Sequence, residues 1–187
     1  MSDRRRNGTR DRLIRVATGL FRRRGVAGVG VGEICAGAQV TKGVFSHHFP
    51  GGKDELVVAV VDRNGADVSG QLAAFGSGDA ADSVQALFRA YASAMRLKGS
   101  DFGCPVAAAV VDGAASTSPT ISAANLAFDR WRVILGERLG DDDMGALVVA
   151  ALEGAILLAR AEKDPATLER VGDALAQLIE PATRSAG

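Results

Sequence analysis

Residues 40–56 read Val-Thr-Lys-Gly-Val-Phe-Ser-His-His-Phe-Pro-Gly-Gly-Lys-Asp-Glu-Leu. The spacing predicts a short basic helix from Thr41 to His48, backed by Phe45 and Phe49 and closed by a tight Pro50-Gly51-Gly52 turn. Lys53 follows, and Asp54-Glu55 opens a new helix at its positive end. This layout puts small, polar and cationic side chains on one face and an aromatic plug behind them, as entry into a DNA major groove requires. It points to a nucleic-acid reader and away from a catalyst.

Charge along the chain agrees. The 187 residues balance 22 basic against 22 acidic side chains, but the two signs are segregated. Residues 1–53 hold eleven Lys/Arg and three Asp/Glu, and residues 54–187 hold eleven and nineteen. A basic N-terminal part followed by an acidic remainder suggests one module that faces nucleic acid and one that does not.

A chain of this length can bury a real core. Its 47% hydrophobic content is ordinary for a soluble globular protein. The Arg-rich start is not followed by an apolar segment, so no secretory signal is expected. The longest apolar run, Met144 to Ala159, is broken by Glu153 and is shorter than the ~20 residues of a membrane span. Two cysteines, Cys35 and Cys104, do not suggest a disulfide framework, and a reducing cytoplasm fits.

Helical periodicity runs nearly throughout, giving an all-α expectation of about nine helices. Leu13, Ile14, Ala17, Leu20 and Phe21 share a face of the first helix, which Gly25 stops. Glu33 to Ala38 forms a short second helix, and a turn at Gln39 leads to the third. Phe45 and Phe49 can pack back on Leu20, Phe21 and Ile34. A fourth helix is expected from Asp54 to about Ala73, a loop over Phe75 to Asp79, and a fifth helix from Ala81 to Leu97. Pro105, Ser118-Pro119 and Asp164-Pro165 mark further helix starts.

Two late helices carry bundle-like seams with four-three spacing: Leu147, Ala151, Gly154 and Leu158, then Leu168, Val171, Leu175 and Leu178. Helix 144–159 is apolar on nearly all sides and must be covered on all sides. A second copy of the chain is the expected cover, making these eight residues a homodimer interface. The aromatics Phe75, Phe88, Tyr91, Phe102, Phe128 and Trp131 fall between 75 and 131. With Cys104 they suit either a ligand cavity or an ordinary core. Tyr91 and Trp131 stand out because each carries a polar group that burial must satisfy.

The stretch Ile34-Cys35-Ala36-Gly37-Ala38-Gln39-Val40-Thr41-Lys42-Gly43-Val44-Phe45-Ser46-His47-His48-Phe49, with Lys53 after it, resembles the signature of the TetR family of transcriptional repressors. The endings Phe49-Pro50-Gly51-Gly52-Lys53 and Phe102-Gly103-Cys104-Pro105-Val106-Ala107 look like its lincomycin- and flavonoid-responsive branch. The resemblance implies a dimeric, cytoplasmic, all-helical repressor without cofactor or metal. It also implies a DNA-binding domain over 8–68, with its helix-turn-helix at about 32–51, and a ligand-binding and dimerisation domain over 69–187. Carried over by position, Thr41, Lys42, Gly43, Ser46, His47, His48 and Lys53 face operator DNA. Lys42 would reach a guanine edge or a phosphate, and Lys53 would hold a phosphate without reading sequence. The implied partners are double-stranded operator DNA, a small apolar inducer and a second copy of the chain.

Three positions depart from the family pattern. Ser46 replaces a tyrosine and loses a long phosphate or methyl contact. Gln39 replaces the turn glycine, where a left-handed backbone costs of order 1 kcal/mol. Val29-Gly30 replaces Thr-Ser, so a hydroxyl cap is missing from the second helix. The basic run Arg4-Arg5-Arg6 can compensate by reaching phosphates or a minor groove.

Rival motifs are weaker. Gly28-Val29-Gly30-Val31-Gly32 follows an arginine-rich helix instead of a buried strand, which excludes a dinucleotide loop. Adjacent His47 and His48 lack metal-ligand spacing. Cys104, before a helix start, could be an activated thiol, but no activating base is visible beside it. An activator of the same fold, and a ligand- or redox-sensing protein with weakened DNA reading, remain the alternatives.

Overall fold

The computed structural model describes residues 3–74, 79–112 and 119–184, and side chains within 8–74, 79–112 and 119–179. Phe75, Ser118 and the Arg4-Arg5-Arg6 side chains therefore lie outside the described residues. Among the described residues there are nine α-helices and no strand. They are α1 (Asp3–Arg24), α2 (Val31–Gly37), α3 (Lys42–His48), α4 (Gly52–Ala74), α5 (Ala80–Lys98), α6 (Pro105–Asp112), α7 (Pro119–Leu139), α8 (Asp142–Glu162) and α9 (Ala166–Arg184).

Capping residues set many of these ends. Thr41, Asp79 and Asp141 accept hydrogen bonds from Val44, Ala81 and Met144 N–H and open α3, α5 and α8. Gly30 opens α2 with no side-chain cap, as the Val29-Gly30 departure anticipates. Pro105 and Pro119 each take the first helical position.

The chain folds as two compact units. The first combines Met1–Ala66 with Cys104–Ala127, and the second Asp67–Gly103 with Phe128–Gly187. Each is discontinuous in sequence. In the first unit α1 packs on α2 and α6, and α2 on α3. Its core holds Leu13, Ile14, Ala17, Phe21, Ile34, Phe45, Phe49, Leu56 and Val60, while Leu20 is only half-buried.

In the second unit α5 lies along α9, and α9 also packs on α8. A Cβ at Gly172 of α9 would stand 2.6 Å from Phe88 Cβ of α5, so the bare glycine sets that close approach. At Gly145 of α8 a Cβ would meet Arg132 O at 2.5 Å and Gly136 N at 2.6 Å, so α7 and α8 touch backbone to backbone.

The two seams fare differently. α8 buries Gly145, Val148, Leu152, Ala155, Ile156 and Ala159. Its seam of Leu147, Ala151, Gly154 and Leu158 lies on another side, with Leu147 43% and Leu158 53% exposed and Ala151 and Gly154 half-buried. α9 instead turns Leu168, Gly172, Leu175, Ala176 and Ile179 inward. Leu168 and Leu175 are therefore core residues of the single chain, Val171 is half-buried, and Leu178 is 61% exposed.

By length and composition α8 could also cross a membrane. The helix is longer than the apolar run 144–159, so length does not exclude a span. Its packing on α9, the Asp141-Asp142-Asp143 start and the mid-helix Glu153 fit a bundle helix better.

Candidate nucleic-acid interface

The site begins at the end of α2. Val40 N–H donates to Cys35 O at 3.0 Å and Gln39 N–H to Ala36 O at 3.1 Å, the paired bonds of a Schellman cap. That cap needs a left-handed residue, and Gln39 supplies it with φ 53°. The chain then turns into α3. Thr41, extended at φ −81° and ψ 160°, accepts the Val44 N–H on its hydroxyl at 3.3 Å. Thr41 is thus the N-cap of the helix it was expected to present to DNA.

On α3, Phe45 points inward and meets Phe49, ring centroids 5.6 Å apart. The Arg10 guanidinium of α1 lies over the Phe49 ring, 5.1 Å from its centroid. Thr41, Lys42, Gly43, Ser46 and His47 face solvent, and His48 is half-buried with its ring edge-on to His47 at 5.3 Å. Val44 is 39% exposed on the same short helix. The helix pattern alone did not single it out, yet an exposed methyl-bearing side chain can meet a thymine methyl where Ser46 cannot.

Lys53 has a partner inside the unit. Its ammonium donates to Val26 O at 2.7 Å, which uses one of three protons and leaves two for an external acceptor. The same turn after α1 is held on its other side. Asp112, the last residue of α6, accepts from Val26 N–H at 2.5 Å and Ala27 N–H at 3.0 Å through one carboxylate oxygen. Arg24 bonds Gly28 O at 2.6 Å and forks onto Glu33 of α2 at 2.5 and 2.6 Å. This Arg24 hydrogen bond holds the Glu33 carboxyl below its ordinary value, with the Arg24 charge adding to it. The turn between α1 and α2 is therefore a junction where α1, α2, α4 and α6 meet. Sequence reasoning missed Asp112, which carries no motif and sits 86 positions from Val26.

Of the six aromatic and thiol candidates, five belong to the second unit and Cys104 to the first. Phe88 is fully buried against Gly172, in the α5–α9 core. Phe128 and Trp131 meet edge to face, centroids 5.2 Å apart. The Lys98 ammonium lies 5.0 Å above the Phe102 ring. Tyr91 is half-buried in the second unit, and Cys104 is half-buried in the first. Neither Cys35 nor Cys104 is in a disulfide. Among the described residues no three His, Cys, Asp or Glu side chains gather as a metal site.

Known proteins resemble the chain at every level. Residues 13–60 match the family described as bacterial regulatory proteins, tetR family. Residues 80–174 match the family described as transcriptional regulator LmrA/YxaF-like, C-terminal domain. An HTH-type transcriptional regulator of Mycobacterium tuberculosis, Rv0196, is 30% identical over 187 aligned residues covering 92% of this chain and 94% of the relative. The HTH-type regulator LmrA of Bacillus subtilis is 24% identical, covering 92% and 97%. A TetR transcriptional regulator from Chloroflexus aurantiacus superposes with a TM-score of 0.79 at 23% identity, covering 95% of this chain and 96% of that one. Its likeness supports the fold.

Proposed function

This chain belongs to the TetR family of bacterial transcriptional regulators, with an LmrA/YxaF-like C-terminal domain, and on that premise we propose that it is a homodimeric cytoplasmic repressor released from its operator by a small apolar inducer. Regulators of this kind bind DNA and are not enzymes. The observation that carries the reading is α3 itself: a capped helix with Lys42, Gly43, Val44, Ser46 and His47 outward and Phe45 locked inward. Two such helices, one per subunit, enter successive major grooves of a near-palindrome. Lys42 reads a guanine edge or holds a phosphate, Gly43 admits the backbone to close range, and Lys53 holds a phosphate with its two remaining protons.

The homodimer reading draws on α8. Leu147, Ala151, Gly154 and Leu158 are the part of the seam that the chain leaves uncovered, and a Cβ at Gly154 would meet nothing within 4 Å. Leu178 extends it on α9, while Leu168 and Leu175 drop out because the chain already buries them. For the inducer, the contacts proposed are the aromatics of the second unit, Phe88, Tyr91, Phe102, Phe128 and Trp131, with Phe128 edge-on to Trp131. Inducer and DNA then oppose each other reciprocally, by the ~1–3 kcal/mol usual for such coupling.

Fluorescence anisotropy with the intergenic DNA flanking the gene tests the reading, beside scrambled DNA at two salt concentrations. Wild type should prefer the native fragment and weaken steeply with salt. Lys42→Ala should lose about tenfold or more and much of the preference. Equal, weak binding to both DNAs would favour a protein whose DNA reading has lapsed.

A further inference from the structure

We propose that Asp112 is a positioning residue for operator binding: it fixes, from α6, the turn that aims Lys53 at the DNA backbone. The inference rests on the reading of Lys53 as a phosphate contact.

The geometry is a short relay through one peptide. Val26 N–H and Ala27 N–H both point at Asp112 Oδ2, at 2.5 and 3.0 Å. Two successive backbone N–H groups converging on one carboxylate oxygen make an anion nest, and charge-assisted bonds of this kind are the strong ones. On the far side of the same residue, Val26 O accepts from Lys53 Nζ at 2.7 Å. A carboxylate on α6 is thus two hydrogen bonds from an ammonium at the start of α4. Polarisation along the chain adds to its stiffness, because a carboxylate on the N–H side makes the adjoining turn a more fixed acceptor.

The site is built around this approach. Gly25 stands at φ +74°, and a Cβ there would lie 2.8 Å from Asp112 Oδ2. Only glycine meets both demands at once, the left-handed backbone and the carboxylate against it. Asp112 also sits at the wrong end of its helix for an acid, since the C-terminus of α6 is the negative end of the dipole. Its bonds to the turn offset that disadvantage. The lysine is built in the same manner: its long stem is half-buried and its head is held by a carbonyl, which limits the directions its free protons take. A phosphate contact made by a pre-aimed ammonium loses less side-chain entropy than one made by a free lysine.

The proposal predicts a sign opposite to simple electrostatics. Removing an acid from a DNA-binding face ordinarily strengthens attraction to phosphate. If Asp112 positions Lys53, removing it weakens binding instead. The test compares wild type, Asp112→Ala, Asp112→Asn, Lys53→Ala and the double variant Asp112→Ala/Lys53→Ala by anisotropy across a salt series. Thermal melts and the amide NMR shifts of Val26 and Ala27 are measured on each protein. Lys53→Ala should weaken binding alike on all sequences and lower the salt slope by about one. Asp112→Ala should weaken binding severalfold in the same sequence-blind manner and move both amide signals upfield. Asp112→Asn removes the same charge but keeps an acceptor oxygen, so it should recover part of the loss. In the Lys53→Ala background, Asp112→Ala should add nothing.

Tighter or unchanged binding by Asp112→Ala, with Lys53→Ala weakened, overturns the proposal and leaves the Lys53 reading intact. Losses that multiply in the double variant overturn it as well, since Asp112 would then act by another route. If Lys53→Ala binds like wild type, it is the phosphate reading of Lys53 that fails. Should Asp112→Ala not fold, the comparison of Asp112→Asn with Asp112→Asn/Lys53→Ala decides by the same non-additivity.

Discussion

Gln39 sits in the left-handed region at φ 53° because the Schellman cap that ends α2 requires it there. An L-residue in that conformation carries roughly 1–2 kcal/mol of backbone strain. Glycine removes the strain but is more flexible when unfolded, which offsets part of the gain. Gln39→Gly should therefore raise stability by about 1 kcal/mol, read as a higher urea midpoint at unchanged m-value. A midpoint that falls would mean that the glutamine side chain contributes contacts outweighing the strain. The residue scale is where the sequence is most legible and also where it stops. The Phe45/Phe49 plug and the basic face of α3 follow from spacing and residue type alone, and the uncapped start of α2 follows from the family resemblance. Thr41 was legible as a polar residue at the right place, but its hydroxyl serves Val44 N–H, a local competition that position in a motif does not reveal. Lys53 was legible as a cation at a helix start, whereas its carbonyl partner lies 27 positions away. Long-range backbone bonds of this kind leave no periodicity behind.

At the scale of elements, a helix seam read from spacing has two solutions one residue apart, and packing chooses between them. On α9 the expected stripe is Leu168, Val171, Leu175 and Leu178; the buried set keeps Leu168 and Leu175 but continues through Gly172, Ala176 and Ile179, not Val171 and Leu178. Gly172 fits that face, because a Cβ there would stand 2.6 Å from Phe88 Cβ of α5. On α8 the competing faces are both apolar: one packs within the unit and the other stays exposed in the single chain. Leu147 and Leu158 are about half-exposed and Leu157 is 63% exposed, a concentration of apolar surface on one helix that supports the proposed dimer contact. The dimer reading makes a sharp prediction here. Leu147→Glu with Leu158→Glu should place like charges across a two-fold contact and give a folded monomer. Sedimentation at micromolar concentration would show half the mass, with helical circular dichroism retained. A dimer that survives both substitutions would move the interface away from this face of α8.

At the scale of the molecule, the chain is neutral overall but basic at one end, and among the described residues each unit carries a forked arginine–glutamate pair. Arg24 forks onto Glu33 in the first unit, and Arg96 forks onto Glu169 in the second at 2.7 and 2.8 Å. Both carboxyls are held below their ordinary value of 4.5, in each case chiefly by the arginine hydrogen bonds. A depressed folded-state pKa means that the unfolded chain takes up a proton first as pH falls. The stabilisation from these pairs is thus fully present above about pH 4.5 and is lost as pH drops through the lower folded values. Both pairs are largely solvent-exposed, so the effect of each is small and screened by salt. Melting temperature should accordingly be flat from pH 7 to 5 and fall below it. Glu33→Gln/Glu169→Gln should start lower at neutral pH and fall less steeply in acid, converging on wild type once the pH lies below both folded values. The two sites lie in different units, so their contributions should also add. Glu33 bridges to the turn that holds Lys53 and Asp112, whereas Glu169 does not. Of the two single variants, then, Glu33→Gln should also weaken DNA binding at neutral pH while Glu169→Gln leaves it unchanged. Equal DNA affinities for both variants would separate the acid response from DNA reading and confine the role of the Arg24–Glu33 pair to stability.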